Sequence, residues 1–322
     1  MNKPLATRIA LVLAVPVLYA LAIRYFFGLS HVSELYSVMS ITFLFLMPTV
    51  VGALTVYFSS PENVNNLAYR ILAPWAPVII FFIATIALSW EGWICWIMVL
   101  PLFLVAASIG GLLAGYLKTR AGEGKALVSV LALSPLLVAP LENMIGAIPG
   151  TYEAYTCIDI RSAPERIWDN VTRVGEIPES MDKGWLTRSM GFPRPVKAEL
   201  DFLGVGAKRE AVFTNGLVFH ETVTEYDDKK KMVFDIKADP HEIPSTTMDE
   251  HIVIGGKFFD VLNGTYELEK LDGQTYRLHL FSRFKLNTTF NFYAGWWARL
   301  IMKDIQNNIL QVEKRRAEQG LH

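Results

Sequence analysis

Cysteine, paired histidines and, in its first half, charge are what this 322-residue chain has little of. Its two cysteines, Cys95 and Cys157, fall one in each half, the first in an apolar run and the second in an expected strand. They build neither a disulfide framework nor a CxxC metal site. The six histidines (His31, His220, His241, His251, His279 and His322) show no HExxH or HxH spacing, so no metal centre is indicated. No motif asks for a cofactor. Residues 1–149 carry twelve charged side chains, seven basic and five acidic, whereas residues 150–322 carry twenty-three basic and twenty-six acidic ones. Neither half has a strong field, and no dense basic patch is available to displace counterions from phosphates, which excludes nucleic acid as a partner.

What is present in the first half is apolar length. Runs over 5–27, 35–58, 74–90, 93–117 and 126–145 each approach the ~20 residues that cross the hydrocarbon core as a helix. Five spans are expected over a membrane region of residues 1–149. The fifth is the weakest, because Pro135, Pro140, Glu142 and Asn143 interrupt it and an interfacial or re-entrant course is the alternative. Lys3 and Arg8, Arg70, and Lys118, Arg120 and Lys125 fall at alternate ends of the runs, which places the N-terminus in the cytoplasm. With five spans residues 150–322 lie on the extracytoplasmic, periplasmic-type side, and with four they lie in the cytoplasm. Arg24 sits close enough to a span end to snorkel. Gly111 and Gly115 form a GxxxG, read first as packing inside one bundle and otherwise as the contact of a homo-oligomer.

The second half alternates. Tyr152, Ala154, Thr156, Ile158 and Ile160 share one strand face. Ser162-Ala163-Pro164-Glu165 reads as a capping box opening a helix, and a second short helix is expected over 174–181. Strands follow near 198–202, 208–214, 217–226, 232–238, 249–255, 263–271 and 275–286, with Asp272-Gly273 as a hairpin turn and Asn263-Gly264 as a turn or a bulge. A long helix over about 289–318 closes the chain, with Phe290, Tyr293, Trp297, Ile301, Ile305, Ile309 and Val312 as its apolar stripe and an opposite polar face. An antiparallel sheet and a long helix bury each other's apolar surfaces. The expected fold class is an α-helical transmembrane bundle followed by an α+β helix-grip domain over 150–322.

The order of strand, short helices, antiparallel strands and long last helix resembles the START-like, or SRPBCC, superfamily, which includes polyketide cyclase/dehydrase-like proteins. The local likeness is strongest at Ile158-Asp-Ile-Arg-Ser-Ala-Pro-Glu-Arg-Ile-Trp168, similar to the family's opening strand and Ala-Pro helix start, and Gly204-Val205-Gly206 matches a glycine before its third strand. The likeness covers residues 151–318 and says more about fold than function, because the superfamily shares a cavity without sharing a catalytic motif. The five-span region departs from the usual single-domain member.

The resemblance implies a cavity between sheet and last helix, lined by inward residues such as Phe219, Phe234, Ile236, Leu280, Phe284, Trp297 and Ile301. A closed core built from the same seven is the alternative. His241, Asp249, Glu250 and His251 suit proton transfer, but read more simply as a solvated loop and an outward strand face. His279, Arg283 and Lys285 share an outward parity. Lys314, Arg315 and Arg316 complement the dipole of the last helix. Trp296 and Trp297 point about 100° apart, so at most one is core. No catalytic residue is named. The leading expectation is a membrane-anchored domain binding or transferring a lipid or isoprenoid-like ligand, with membrane lipids and a hydrophobic small molecule as partners. A cyclase/dehydratase-like enzyme and a ligand-sensing or assembly module of a membrane complex are the alternatives. An inward His or carboxylate favours the enzyme, and a filled core with an exposed apolar patch favours the module.

Overall fold

The computed structural model describes residues 5–33, 35–120, 125–238 and 254–320, and their side chains apart from 5–8, 120 and 125–127. It divides into two compact units, Met1–Ala147 and Ile148–His322.

The first unit is helical: α1 (Leu5–Phe27), α2 (Met47–Phe58) preceded by one π turn (Thr42–Leu46), α3 (Pro61–Val64), α4 (Leu67–Leu72), α5 (Trp75–Ala87), α6 (Trp93–Arg120) and α7 (Lys125–Ile145). Among the described residues four helical stretches are long and apolar enough to cross a membrane: Ile9–Phe27, Leu67–Ala87, Trp93–Thr119 and Val128–Ile145. Thr42–Phe58 is apolar but shorter. The short run is therefore the second, whereas the sequence had singled out the fifth. The second run starts at Thr42 and not at Leu35 because capping groups meet there. Both carboxylate oxygens of Glu142 accept the amides of Ile41 and Thr42, at 2.6 and 2.8 Å, and the Ser40 hydroxyl accepts that of Phe43. The third begins at Leu67, ahead of the expected 74, with the Asn66 side chain capping Tyr69 N–H.

Polar groups inside this unit fasten helix ends. Arg24 does not snorkel to solvent: it pairs with Glu91 at 2.6 Å, both side chains under 10 % exposed, and donates to the Trp90 carbonyl. At the other end of α2, the Lys118 ammonium donates to the carbonyls of Tyr57 and Ser59. The α2–α6 crossing needs glycine, since a Cβ on Gly52 would strike the Ala107 carbonyl and one on Gly110 the Thr49 carbonyl.

The second unit holds β1 (Ile148–Arg161), α8 (Pro164–Thr172), α9 (Trp185–Met190), β2 (Pro195–Leu200), β3 (Lys208–Phe213), β4 (Val218–Asp227), β5 (Lys231–Lys237), β6 (Phe259–Asp272), β7 (Thr275–Thr288) and α10 (Asn291–Gln319). The seven strands form one antiparallel sheet in the order β1-β7-β6-β5-β4-β3-β2, with α10 against β1 and β7 and with α8 and α9 beside it. Alternation places Ala154, Ile160, Met232, Phe234, Leu278, Leu280 and Phe284 on the buried face. Large side chains removed from water in this way each contribute about 1.5–3 kcal/mol.

Several local expectations are corrected. Ser162 does not cap α8, whose N-cap Ala163 makes no side-chain bond; its hydroxyl reaches across to the Ala317 carbonyl at 2.8 Å. Proline at the first helical position makes that cap dispensable. The second short helix lies at Trp185–Met190 and not over 174–181, because Val174 is drawn into a bridge with Ala198. Of the two readings of Asn263-Gly264 the turn fails: both residues pair regularly within β6, a register shift lies just before them between Val261 and Asn263, and Gly264 leaves room for the Phe234 ring opposite it. The expected strand over 249–255 lies mostly outside the described residues; Ile254 forms an isolated bridge to Phe259.

Gly110→Leu in α6 is expected to lower the thermal unfolding midpoint of the full-length protein in mild detergent by several degrees, since the helices must separate to admit the side chain. An unchanged midpoint would mean that the close α2–α6 crossing does not exist.

Candidate functional site

The inner face of the grip is not purely apolar. In β3, Arg209 lies in phase with Ala211, and in β4, Glu221 lies in phase with Phe219 and Val223, so both charges point inward. They are direct cross-strand partners, 4 % exposed each, and Arg209 Nη1 donates to Glu221 Oε2 at 2.5 Å. The guanidinium also lies over the Phe234 ring, 5.3 Å from its centroid. Tyr266 of β6 and Glu313 of α10 are buried with this pair, and Arg316 follows one turn later on the helix.

Burial works against the Arg209 charge, but Glu221, Tyr266 and Glu313 outweigh it and hold its pKa above the ordinary value. Arg209 therefore stays cationic and Glu221 is its counter-ion. Burial likewise raises the Tyr266 phenol well above its usual range. Glu313 is the exceptional group. It is 1 % exposed, and its carboxylate makes no hydrogen bond of full geometry with a described group; the Tyr266 hydroxyl bears on it as a hydrogen-bond donor outside ideal geometry, and Arg209 and Arg316 act on it as charges. Burial pushes its pKa up from 4.5 to about 8, against the pull of Arg209, Tyr266 and Arg316. Arg209 Nε is also buried without a partner. Orphaned polar atoms of this kind are rare in folded interiors and call for a reason, and strongly perturbed acids concentrate at functional sites.

A cavity of about 60 Å³ adjoins the pair, lined by Val174, Ile177, Ala198, Arg209, Ala211, Glu221 and Ile309 among others. That volume is well below the ~300–1,000 Å³ typical of ligand sites. The seven residues expected to line a cavity lie elsewhere in the grip. Phe234 and Leu280 share one buried cluster, Phe219 belongs to a second and Phe284 to a third. Ile236 packs against the first two, and Trp297 and Ile301 are half-buried on α10. None is among the residues lining the 60 Å³ cavity. His241, Asp249, Glu250 and His251 lie outside the described residues.

Three other groups singled out in the sequence are placed plainly. His279 bonds the Tyr155 hydroxyl at 2.9 Å and Glu269 at 3.2 Å on the outer face of the sheet, where Arg283 pairs with Glu153. Lys314 reaches the Asp159 carbonyl. Arg316 is more than a dipole complement: it is 5 % exposed and donates to the carbonyls of Gly175 and Glu176, tying α10 to the segment after α8.

The reading of the sequence missed Arg209, Glu221 and Glu313. Strand parity with Ala211 and Val223 was the available signal for the first two. For Glu313 the stripe itself held the clue, since it lies four residues after Ile309.

No family model matches the chain, and no curated protein matches it. The solved structures similar to it lie over its C-terminal half. A START superfamily protein from Mycobacterium smegmatis is 9 % identical, covers 53 % of this chain and 99 % of its own, and has a TM-score of 0.34. An aromatase/cyclase, Zhui, from Streptomyces sp. R1128 is 13 % identical over 54 % of this chain and 97 % of its own, with a TM-score of 0.33. Norcoclaurine synthase from Thalictrum flavum, in truncated form, is 9 % identical over 52 % and 94 %, with a TM-score of 0.29. The C-terminal half is a helix-grip domain. That assignment rests on the strand order and on α10 lying against the sheet.

Two stability measurements test the cluster. Between pH 4.5 and 8 the folded protein holds a proton on Glu313 that the unfolded chain has released. Glu313 therefore favours folding most below pH 4.5, and that contribution is lost as the pH rises through about 8. Glu313→Gln is expected to flatten the pH dependence of thermal unfolding in that window and to exceed the parent at high pH by on the order of a few kcal/mol. An unaltered slope would place the carboxylate in water. Separately, Arg209→Met is expected to cost about 3–5 kcal/mol by stranding Glu221, and adding Glu221→Leu to recover much of it. Additive losses would argue against a buried pair.

Proposed function

We propose that the helix-grip domain binds a hydrophobic ligand carrying one polar group, lipid or isoprenoid-like in class, and that the apolar helices hold it at a membrane. The observation that carries this reading is the buried cluster of Arg209, Glu221, Tyr266 and Glu313 inside the grip, in which Arg209 Nε has no partner among the described residues and Glu313 has at most the Tyr266 hydroxyl. A core selected for stability alone gains nothing from such groups, because well-packed apolar residues do as well or better. A polar head meeting Arg209 Nε and Glu313 would satisfy both, while Phe234, Leu280 and their neighbours would meet the apolar body. The 60 Å³ cavity beside the pair is too small for such a ligand, so entry at that point would part α10 from the sheet. Tethering raises the encounter rate, as an apolar ligand concentrates in the bilayer beside the domain.

Five crossings suit the helical unit best. Thr42–Phe58 runs from the end of α7, where Glu142 caps it, to the end of α6, where Lys118 caps it, and so traverses the same width as its longer neighbours. At 1.5 Å per residue it is about 25 Å long. With Arg70 and Lys118 on the cytoplasmic side, five crossings put the domain on the extracytoplasmic side.

The inward carboxylate also favours a second reading, a cyclase/dehydratase-like enzyme in which Glu313 exchanges protons with the bound substrate. A pKa of about 8 suits a group that changes protonation near neutral pH.

Native mass spectrometry with lipid extraction on the full-length protein in gentle detergent tests the proposal. A stoichiometric amphiphile that is lost in Arg209→Met with Glu221→Leu supports binding at the cluster. Recovery of that amphiphile in an altered form with the parent, and unaltered with Glu313→Gln, supports the enzyme. A protein that carries no amphiphile, and takes none up from mixed-lipid vesicles, overturns both.

A further inference from the structure

The start of α10 carries an ordered row of exposed side chains, of which Arg299 also lies over the Tyr152 ring of β1, 5.7 Å from its centroid. Phe292 and Trp296 are 67 % and 52 % exposed, and the next two outward positions, Arg299 and Lys303, are also exposed. The spacing of four, three and four residues sets all four on one face. Along the axis, Trp296 lies about 6 Å beyond Phe292, Arg299 about 10 Å and Lys303 about 16 Å. Two large aromatics followed by two cations is the sequence of a helix entering a bilayer surface end-on. Rings occupy the boundary between acyl chains and headgroups, and cations lie outside it at the phosphates. The headgroup layer, about 5–8 Å on each side of the core, is matched by these intervals.

A second observation is the chain's connectivity. The chain enters β1 at Ile148, itself 65 % exposed, only two residues after α7 ends at Ile145. Gly146 and Ala147 span at most about 10 Å of extended chain. The Asn291 side chain, in the first turn of α10, donates to the carbonyl of Ile148. The aromatic turn is thus bonded to the first residue of β1, three residues beyond the end of α7, and Gly295 packs against Tyr152 of the same strand.

We propose that the first four turns of α10 are a second membrane contact: Phe292 and Trp296 insert at the acyl–headgroup boundary, and Arg299 and Lys303 bind phosphates, with anionic lipids preferred. The contact rests on the reading that the apolar helices lie in a bilayer. It would hold the N-terminal end of α10, and with it the gap between helix and sheet, at the level from which an amphiphile leaves the membrane.

The test uses full-length protein with Cys95→Ala and Cys157→Ser in nanodiscs of phosphatidylcholine and phosphatidylglycerol. A nitroxide is attached in turn at Phe292→Cys, Trp296→Cys, Lys303→Cys, Lys270→Cys in β6 and Leu137→Cys in α7. All five positions are exposed, so the label displaces no core side chain. Collision with oxygen reports lipid, and collision with a water-soluble nickel chelate reports solvent. The expected result is an oxygen-to-nickel ratio at positions 292 and 296 several-fold above that at 303 and 270, approaching that at 137. Labels at 292 and 296 as nickel-accessible as 270, with 137 in lipid, overturn the contact and leave the anchor standing. A label at 137 in water overturns the anchor, and the contact falls with it.

Discussion

The domain depends on one helix packing its polar side chains inward. α10 lies in the curve of the sheet, and the face it buries includes Gln306, Asn308, Glu313 and Arg316 beside Leu310, Val312 and Ala317. Each buried polar group costs free energy unless it finds a partner, so the partners fix the helix in register and rotation. Gln306 donates to the Ala154 carbonyl and the Ser282 hydroxyl and accepts from Thr156, which locks α10 to β1 and β7. Asn308 joins Asp182 and the Lys183 amide, and Asp304 takes the amide and hydroxyl of Thr187, which locks it to α9 and the segment before it. With these bonds made, Glu313 has one place to go, beside Arg209 and Tyr266, and there the Tyr266 hydroxyl is its one hydrogen-bond donor among the described residues, outside ideal geometry.

The same physics explains what was legible in advance. Strand alternation and the Asp272-Gly273 turn gave the sheet, because a half-buried strand writes its environment with a period of two. The long last helix was equally plain. Its apolar stripe was misleading about its inner face: Trp297, Ile301, Ile305 and Ile309 are only half-buried, whereas Gln306, Asn308 and Glu313 are enclosed. Polarity is a good guide to exposure on average and fails where a fold brings matched partners from distant strands, as Thr156 and Ser282 are brought to Gln306. Arg209 and Glu221 illustrate the converse, because their parity was readable and their charge concealed it.

In the helical unit, length and composition located the apolar runs, but the ends of the second and third came from single side chains. Glu142 lies a hundred residues from the amides it caps, and Arg24 is 67 residues from Glu91. Charges that suggested a snorkelling cation and an interrupted fifth run act as fasteners between helix termini, where free backbone groups need partners. Arg24, Glu91, Lys118 and Glu142 thus hold the geometry of this unit.

Glu313 has one further consequence, in the charge of the interior. Because the folded protein already holds this proton below about pH 8, the interior around Arg209 and Glu221 carries no net charge from Glu313 at neutral pH, and a second buried anion appears there only as the pH rises through that value.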